Sequence, residues 1–509
     1  MIISLCVLIM CIIGSTYALY KIILFNDIGV NTTSHGLAYY INYVKGNDID
    51  ASTLNPSNTY AGGVSSDIEF WKKDDSYDIY GKIELTVNTI GTNLKNSSAL
   101  KYAVVNNGNV LKVGSLKGTS SGSKVTILKN LYLEQTKQIY TVYVWLDNSE
   151  ELGNISNESL SISVDCTASL KEELTAEGTI TKLYTNALKT TALSKNGIAY
   201  NTAPSVSLMN DRLGGTTEDL DGGNIRYYGA SPNNYIYFNC SDYSNQSSST
   251  CETWRIIGVF DGKVKLIRGS QIGTYSWDNK NASTGAENAY GKNDWTTARL
   301  MKLLNPSNYY TIDSNDNNLG QSLYYTSTSG KCYSGQNNAT VDCDFTSIGI
   351  KNDITRNLIA ETTYYTRGHD DSSIYVDAMY DKERVSGTIY NGRSTSWTGK
   401  IALAYPSDYG YAADLSLCQK QLSSYNDATC TANNWMKNIV TNNGGNGGWL
   451  LTPYSDSADG AERVMQSGLI YHNDSAFRAI GVVPVLSLIS ELDIGSGTGE
   501  SNSPYQLSV

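Results

Sequence analysis

The carboxylates best placed for chemistry in this sequence lie near its C-terminus, at Asp456, Asp459 and Glu462. Two carboxyl groups on either side of a sugar linkage can hydrolyse it, one as acid and the other as nucleophile or base. The sequence does not give the separation of these side chains, and acidic residues in polar loops are usually solvated. We therefore predict that the chain is not an enzyme.

Metal ligands are sparse. The three histidines, His35, His369 and His472, lie in well-separated segments, so a three-histidine centre would need His35 from another domain. His369 precedes two aspartates, a pattern typical of a solvated loop. Asp313–Asn318 resembles the start of an EF-hand loop, but it lacks glycine at the sixth position and has Tyr324 where a glutamate belongs. We predict no metal site and no cofactor.

The elements that must position these residues are strands. Gly447–Tyr454, Ala461–His472 and Arg478–Leu488 are apolar or alternating segments separated by polar loops, and Ser467-Gly468 marks a turn in the second. Such a pattern predicts buried strands that hold out short connections rich in functional groups.

Six cysteines form close neighbours in the sequence. Each pair encloses a small polar loop, and CxxC spacing or neighbouring histidines, which a zinc site would need, are missing. We predict local disulfides worth about 3 kcal/mol each in an oxidising compartment. The pairs are Cys240–Cys251, Cys332–Cys343 and Cys418–Cys430. Cys166 is left over, and we predict a buried thiol.

Composition and the N-terminus indicate an exported protein. The 509 residues are 40% hydrophobic and 17% charged, and the net charge of −11 argues against a nucleic-acid partner, which needs a basic face. Residues 1–25 are almost wholly apolar, with no charge before Lys21. We predict a single membrane anchor. The alternative is a signal peptide cleaved after Ala18, which gives a secreted protein.

The sequence pattern predicts a multidomain chain. The N-terminal segment 1–25 is followed by an all-β sandwich at 26–167, in which Asn107-Gly108 marks a hairpin. A partly helical linker is predicted at 168–204, and an α+β domain at 205–491 precedes a tail at 492–509. Within the α+β domain, 253–268 is predicted to be a hairpin turning at Asp261-Gly262. Helices are predicted at Asp294–Asn305, Asp353–Thr362 and Ala432–Val440, and a linker helix at Lys182–Leu193.

The sandwich segment resembles the exported domains of Gram-positive biofilm-fibre and camelysin-like proteins. The resemblance rests on Thr16-Tyr-Ala18 and on the strand ending Tyr143-Val-Trp-Leu-Asp147, and it covers about 25–166. It implies a β-sandwich fold.

The C-terminal part has a more specific resemblance, carried by six motifs in a fixed order. They are Trp254–Gly258, Trp295–Asn305, Trp397–Lys400, Tyr405–Gly410, Trp449–Pro453 and Gly481–Leu486. Together they resemble a family of secreted Gram-positive bacterial proteins of unknown function, over roughly 185–509. That family is similar to C-type-lectin-like folds of the formylglycine-generating-enzyme type, including the variable proteins of diversity-generating retroelements. One departure is Val483, where the family pattern has arginine; Arg478 is close enough to replace it.

The resemblance implies a ligand face on the last strands and loops. In this chain that face mixes aromatic anchors with adaptable polar groups, as paratopes do. The candidate residues are Tyr454, Asp456, Asp459, Glu462, Arg463, Gln466, Tyr471, His472, Asn473, Phe477 and Arg478. Ordinary loop surface is the other interpretation of the same residues.

These observations predict a non-enzymatic recognition or adhesion protein on the extracellular face of a bacterial plasma membrane. Its ligand would be an extracellular protein or glycan. Two alternatives remain: a structural or matrix-fibre protein that polymerises through the sandwich, and a divergent enzyme on the formylglycine-generating-enzyme-like fold. The related enzymes hold copper on a reactive cysteine pair, whereas the cysteines of this chain are predicted to be disulfides, which are neither ligands nor nucleophiles.

Overall fold

The computed structural model of this chain describes residues 31–32, 40–51, 54–150, 152, 155, 158–170, 172–213, 223–279, 289–311, 319–441 and 446–509. They form two compact units that divide between Glu173 and Leu174. The predicted anchor at 1–25 lies outside the described residues, as do Ala18, His35 and the EF-hand-like segment 313–318. None of the described helices is long and apolar enough to cross a membrane.

The first unit is a β-sandwich, as predicted. Its strands β1 to β11 are Asn31–Thr32, Ile41–Val44, Ile49–Ala51, Pro56–Ser57, Val64–Lys72, Tyr80–Ile90, Leu100–Asn106, Asn109–Ser115, Lys124–Tyr132, Ile139–Asp147 and Leu160–Ser169. One sheet has the order β1-β11-β6-β9, with β3 also on β11. The other has the order β2-β5-β10-β7-β8, with β4 also on β10.

Alternation of buried and exposed residues explains why two sheets form in this unit. In β6 and β11 every second side chain is buried, as a sheet with one solvated face requires. Leu85 of β6 and Val144 of β10 belong to the single apolar core that both sheets share. The predicted hairpin is present: Asn107 and Gly108 have φ of 49° and 77°, the left-handed turn that matches strand twist.

The second unit combines strands with short helices. Its strands β12 to β31 are Thr190–Leu193, Ala199–Ala203, Leu208–Asn210, Ile225–Tyr227, Tyr235–Phe238, Glu252–Phe260, Lys263–Arg268, Thr274–Tyr275, Ser329–Tyr333, Thr340–Asp344, Thr362–Tyr365, Ser396–Gly399, Ile401–Ala402, Gly448–Pro453, Gly460–Val464, Ile470–Ser475, Ile480–Gly481, Val485–Ser487, Asp493–Ser496 and Gln506–Ser508. Its helices α1 to α8 are Ala176–Asn186, Arg299–Leu304, Leu323–Thr326, Asp353–Leu358, Val376–Asp381, Pro406–Tyr411, Ala428–Ala432 and Lys437–Thr441.

A large sheet forms the centre of this unit, with the order β12-β13-β14-β15-β17-β18-β29-β24 and β16 also on β17. Strands β17 and β18 form the predicted hairpin, with Asp261 and Gly262 at the turn. Both faces of the sheet are covered: Ile256 contributes to one apolar core and its neighbour Ile257 to another. Because both faces are buried, β17 is a continuous apolar run rather than an alternating one.

The segment predicted as a linker, 168–204, differs from the structure. Helix α1 begins after Thr175, whose side chain accepts a hydrogen bond from the Gly178 amide at 2.9 Å. Ala176, Ile180 and Tyr184, four residues apart, are buried in the core of the second unit. This segment is therefore mostly part of that unit.

Other predicted bounds also shift. The helix predicted at 294–305 spans only Arg299–Leu304, because residues 294–298 form turns in which Asp294 accepts hydrogen bonds from Thr296. The helix at 353–362 ends at Leu358, and the one at 432–440 is replaced by α7 and α8. The predicted tail at 492–509 is folded: β30 pairs with β31, and Tyr505 and Leu507 are buried.

A cluster of buried charges ties α6 to the central sheet. Asp408 accepts hydrogen bonds from Arg226 Nη1 at 3.0 Å, from Lys265 Nζ, and from the Tyr405 amide at 3.0 Å. Burial lowers the pKa of Lys265 to about 8 despite that carboxylate. Burial acts to raise the pKa of Asp408, but Lys265, Arg226 and Arg384 together lower it to about 2.

Candidate functional site

The predicted ligand face lies on a second sheet of the same unit, with the order β19-β28-β25-β26-β27. Strand β25 is wholly buried, and its Trp449 indole donates to the Tyr275 carbonyl at 2.9 Å. Strands β26 and β27 form a hairpin around the predicted Ser467-Gly468 turn, where Gly468 has φ of 102°. We call β26, β27 and this turn the terminal hairpin.

The eleven candidate residues fall into three exposure classes. The exposed ones are Asp456, Gln466, Tyr471, Asn473 and Arg478. Tyr454, Asp459, Arg463 and Phe477 are partly exposed. Glu462 and His472 are buried. The two buried residues therefore cannot belong to an exposed ligand face in this conformation.

Two arginines on the outer side of the terminal hairpin pair with one carboxylate. Asp474 is 3% exposed and forms ion pairs with Arg463 Nε at 2.5 Å and Arg478 Nε at 2.6 Å. The Arg463 guanidinium lies 5.9 Å from the centre of the Tyr471 ring, its partner across the two strands. Exposed Asn473 is not part of this group, because its side chain lies against Gly460. We call Arg463, Tyr471 and Arg478 the outer patch.

Three partly exposed candidates make contacts elsewhere in the unit. The Tyr454 hydroxyl donates to the Asp370 carbonyl at 3.0 Å, and burial followed by nearby acids, Asp456 first, raises its pKa. Phe477 packs against Tyr290, with ring centres 5.5 Å apart. Asp459 accepts a hydrogen bond from Ser457 Oγ at 3.3 Å.

On the opposite side of the terminal hairpin, Glu462 and His472 meet His369. His369 Nε2 and Glu462 Oε1 are 2.5 Å apart, His472 Nδ1 lies 3.6 Å from the same oxygen, and the imidazole centres are 5.1 Å apart. His369 is 1% exposed, Glu462 0% and His472 6%. The prediction of a solvated loop at His369 was wrong for the histidine, although Asp370 and Asp371 are exposed. These three side chains could hold a metal ion.

Electrostatics couple the members of this buried cluster. Burial acts against a charged imidazole, but the Glu462 carboxylate outweighs burial and raises the pKa of His369. Burial likewise acts against the carboxylate, but His369 and then His472 lower the pKa of Glu462.

A β-bulge brings the cluster together. Ala461 pairs with Asp474 and Arg463 pairs with Tyr471, so two residues of β27, His472 and Asn473, oppose Glu462 alone. Bulges re-aim side chains and are frequent beside functional sites. The sequence predicts strict alternation along this segment, and strict alternation contains no signal for such an extra residue.

All three predicted disulfides are present. Cys240–Cys251, Cys332–Cys343 and Cys418–Cys430 are bonded, and Cys166 is a buried free thiol. Burial raises the pKa of the Cys166 thiol. The bonded sulfurs are neither metal ligands nor nucleophiles.

Comparison with known proteins finds no family model and no curated protein that matches this sequence. The geometry of the described residues is therefore the basis for inferring function.

Proposed function

We propose that this chain is a non-enzymatic recognition or adhesion protein of a bacterial cell surface, and that it binds its ligand through the outer patch. The observation that carries this proposal is the double ion pair at Asp474. A buried carboxylate pairs with two guanidinium groups, and that of Arg463 lies beside exposed Tyr471, so little side-chain freedom is lost when a ligand binds.

The chemistry of the patch suits a polar ligand with acidic groups. Arginine binds carboxylates and phosphates through two parallel hydrogen bonds, and tyrosine offers a broad ring with one polar edge. We propose an extracellular protein or glycan as the partner, and no nucleic acid, because the chain has a net charge of −11.

We also propose that the second unit has a C-type-lectin-like fold, in which terminal strands present the ligand face. The ordered motifs of the sequence support this assignment. The three disulfides support an oxidising, extracellular location. Residues 1–25 would anchor the protein in the plasma membrane, or release it if cleaved after Ala18.

Binding of the purified full-length chain to glycan and protein arrays tests the proposal. We expect selective binding that a Tyr471→Ala/Arg478→Ala variant loses. A Lys331→Ala/Val341→Ala variant is the matched control, because it also removes one exposed cation and one exposed large side chain, on the β20–β21 hairpin. Equal binding by all three proteins, or no binding by the oxidised wild type, would refute recognition at this patch.

A second function, assembly into a fibre, is favoured by one feature of the first unit. Strand β8 lies at the edge of its sheet, and Val110, Leu111 and Val113 are 45%, 42% and 48% exposed. An exposed apolar edge strand can pair with the edge of another copy.

Sedimentation velocity of the full-length chain distinguishes the two functions. Fibre assembly predicts concentration-dependent association that Leu111→Lys/Val113→Lys abolishes. Leu188→Lys/Leu193→Lys, which adds the same charges at exposed positions of the second unit, should leave the association unchanged. A wild type that stays monomeric at all concentrations would exclude assembly through β8.

A further inference from the structure

The buried cluster of His369, Glu462 and His472 has more hydrogen-bonding capacity than its neighbours satisfy. Glu462 Oε1 contacts His369, but Glu462 Oε2 and both ring nitrogens of His472 have no hydrogen-bond partner among the described residues. Leaving a buried polar atom without a partner costs roughly 1–3 kcal/mol, and more when the group is charged. The contact between His369 and Glu462 satisfies only Oε1 of the carboxylate and leaves Oε2 and the His472 ring without partners among the described residues.

We propose that His369, Glu462 and His472 form a binding site for a divalent transition-metal ion of the zinc class. The donor set is two imidazoles and one carboxylate, which suits zinc and its neighbours in the first transition row. Calcium and magnesium select oxygen ligands, so two imidazoles exclude them as the preferred occupants. This proposal does not depend on ligand recognition at the outer patch.

The distances between the donor atoms are compatible with one ion. The three ligand atoms lie within 4.8 Å of one another, and His472 Nδ1 is 3.6 Å from Glu462 Oε1. Zinc bonds of about 2.0–2.2 Å at tetrahedral angles separate ligand atoms by roughly 3.4 Å. His369 Nε2 and Glu462 Oε1, now 2.5 Å apart, must therefore separate by about 1 Å when the ion enters.

Proton transfer accompanies this change at His369. Its Nδ1 accepts a hydrogen bond from the Asp371 amide at 3.2 Å, so Nε2 carries the proton that faces Glu462. The ion takes the Nε2 lone pair, and Nδ1 must then carry the ring proton. The Asp371 amide turns away to exposed surface, where water replaces its contact.

The backbone already holds the three ligands close together. His369 is paired with Tyr454 in a parallel bridge, and the Ser455 amide donates to the His369 carbonyl at 3.0 Å. Glu462 and His472 are neighbours across the bulge of the terminal hairpin. A metal ion would thus join the segment around His369 to the inner side of the hairpin whose outer side carries the outer patch.

Zinc binding by the full-length oxidised chain tests the proposal. After the protein is stripped with a chelator, we expect one equivalent of Zn²⁺ to bind, with an increase in the unfolding temperature. Co²⁺ should produce the visible absorption of a tetrahedral site with nitrogen and oxygen ligands. Glu462→Gln and His472→Gln each remove one ligand, and each should weaken binding by more than the roughly 10–100-fold loss typical of an outer-shell partner.

His35→Gln is the matched control, because it removes the one other histidine of the chain. It should bind zinc as the wild type does. Absence of stoichiometric zinc binding by the folded wild type would overturn the proposal, and so would unchanged binding in His472→Gln. If Glu462→Gln does not fold, the cobalt spectrum of the wild type and the His472→Gln titration still decide the question.

Discussion

Replacing Asp408 with asparagine should destabilise the second unit by about 3 kcal/mol, because it leaves Lys265 without its carboxylate and Arg226 with only Asp211. The introduced amide would keep the shape of the side chain and an acceptor for the Tyr405 amide. It would lose the charge that faces Arg226 and Lys265, both buried. Breaking a buried ion pair costs about 3–5 kcal/mol. The lower end applies because Lys265, with its pKa already near 8, can release its proton.

Urea unfolding followed by hydrogen-exchange mass spectrometry measures this loss, because peptides of the second unit can be read separately from those of the first. Asp427→Asn is the control. Asp427 caps α7 through the Thr429 amide at 2.9 Å, but it is partly exposed and asparagine caps a helix equally well, so this change should cost less than about 0.5 kcal/mol. A deficit for Asp408→Asn no larger than that of the control would refute the reasoning.

The pH dependence gives an independent test of the same cluster. The folded-state pKa of Asp408 is about 2, below its ordinary value of 3.8, so its contribution is present above pH 3.8 and lost as pH falls through 2. The Asp408→Asn variant should lack this loss. In the variant, the folded-state pKa of Lys265 falls further below its unfolded value. The unfolded state then binds more protons than the folded state, so stability rises with pH. The loss of unfolding free energy relative to the wild type should therefore be smaller at pH 9 than at pH 6.

Three further predictions concern the scaffold. The Cys418→Ala/Cys430→Ala variant should lose about 3 kcal/mol of unfolding free energy in the second unit, because the cross-link restricts a short loop of the unfolded chain. An unchanged urea midpoint for this variant would contradict the prediction. Cys166 should resist iodoacetamide in the native protein and react fully once the protein is unfolded, since the thiol is buried with a raised pKa. Peptide mass spectrometry measures the labelling, and rapid labelling of the native protein would show that the first unit opens at Cys166. Gly108→Ala should lower the stability of the first unit by about 1 kcal/mol, because φ of Gly108 is 77° and alanine is strained there. Ala103→Gly is the comparison, since it is expected to act through lost burial instead. No change in the melting temperature of Gly108→Ala would argue against the left-handed turn.

Local signals in the sequence predicted local structure well. Asn107-Gly108 and Asp261-Gly262 specify their hairpins because the turn geometry needs left-handed residues, whatever the rest of the chain does. The three disulfides could also be predicted from the sequence, since each joins cysteines only 11 or 12 residues apart.

The start of the second unit could not be placed from the apolar stripe of the predicted linker helix. The predicted helix, Lys182–Leu193, has Leu188 and Leu193 on its apolar stripe, and these two residues are 91% and 68% exposed. The helix uses an earlier stripe, Ala176, Ile180 and Tyr184, in which alanine and tyrosine gave only a weak apolar signal. Packing against the central sheet decided between the two.

The buried cluster shows the limit for long-range sites. His369 and Glu462 are 93 residues apart, and neither stands in a recognisable metal-binding spacing. Side chains two residues apart in a strand lie on the same side of a sheet, so the sequence predicts Glu462, Val464 and Gln466 on one side. In the structure Gln466 is exposed at the turn, while the other two are buried. Only the fold and its bulge bring Glu462 and His472 to His369.

The first helix and the last strand of the second unit meet at β30, whose Asp493 pairs with Ser508 of β31. Ala176 donates its amide to the Leu492 carbonyl at 2.7 Å, and Thr175 forms a bridge with Asp493. The entrance and exit of this unit are therefore adjacent. A unit closed in this way can be transplanted into a loop of another protein, or circularly permuted, without opening a sheet edge. Gene rearrangement could thus join this unit to many different partner domains.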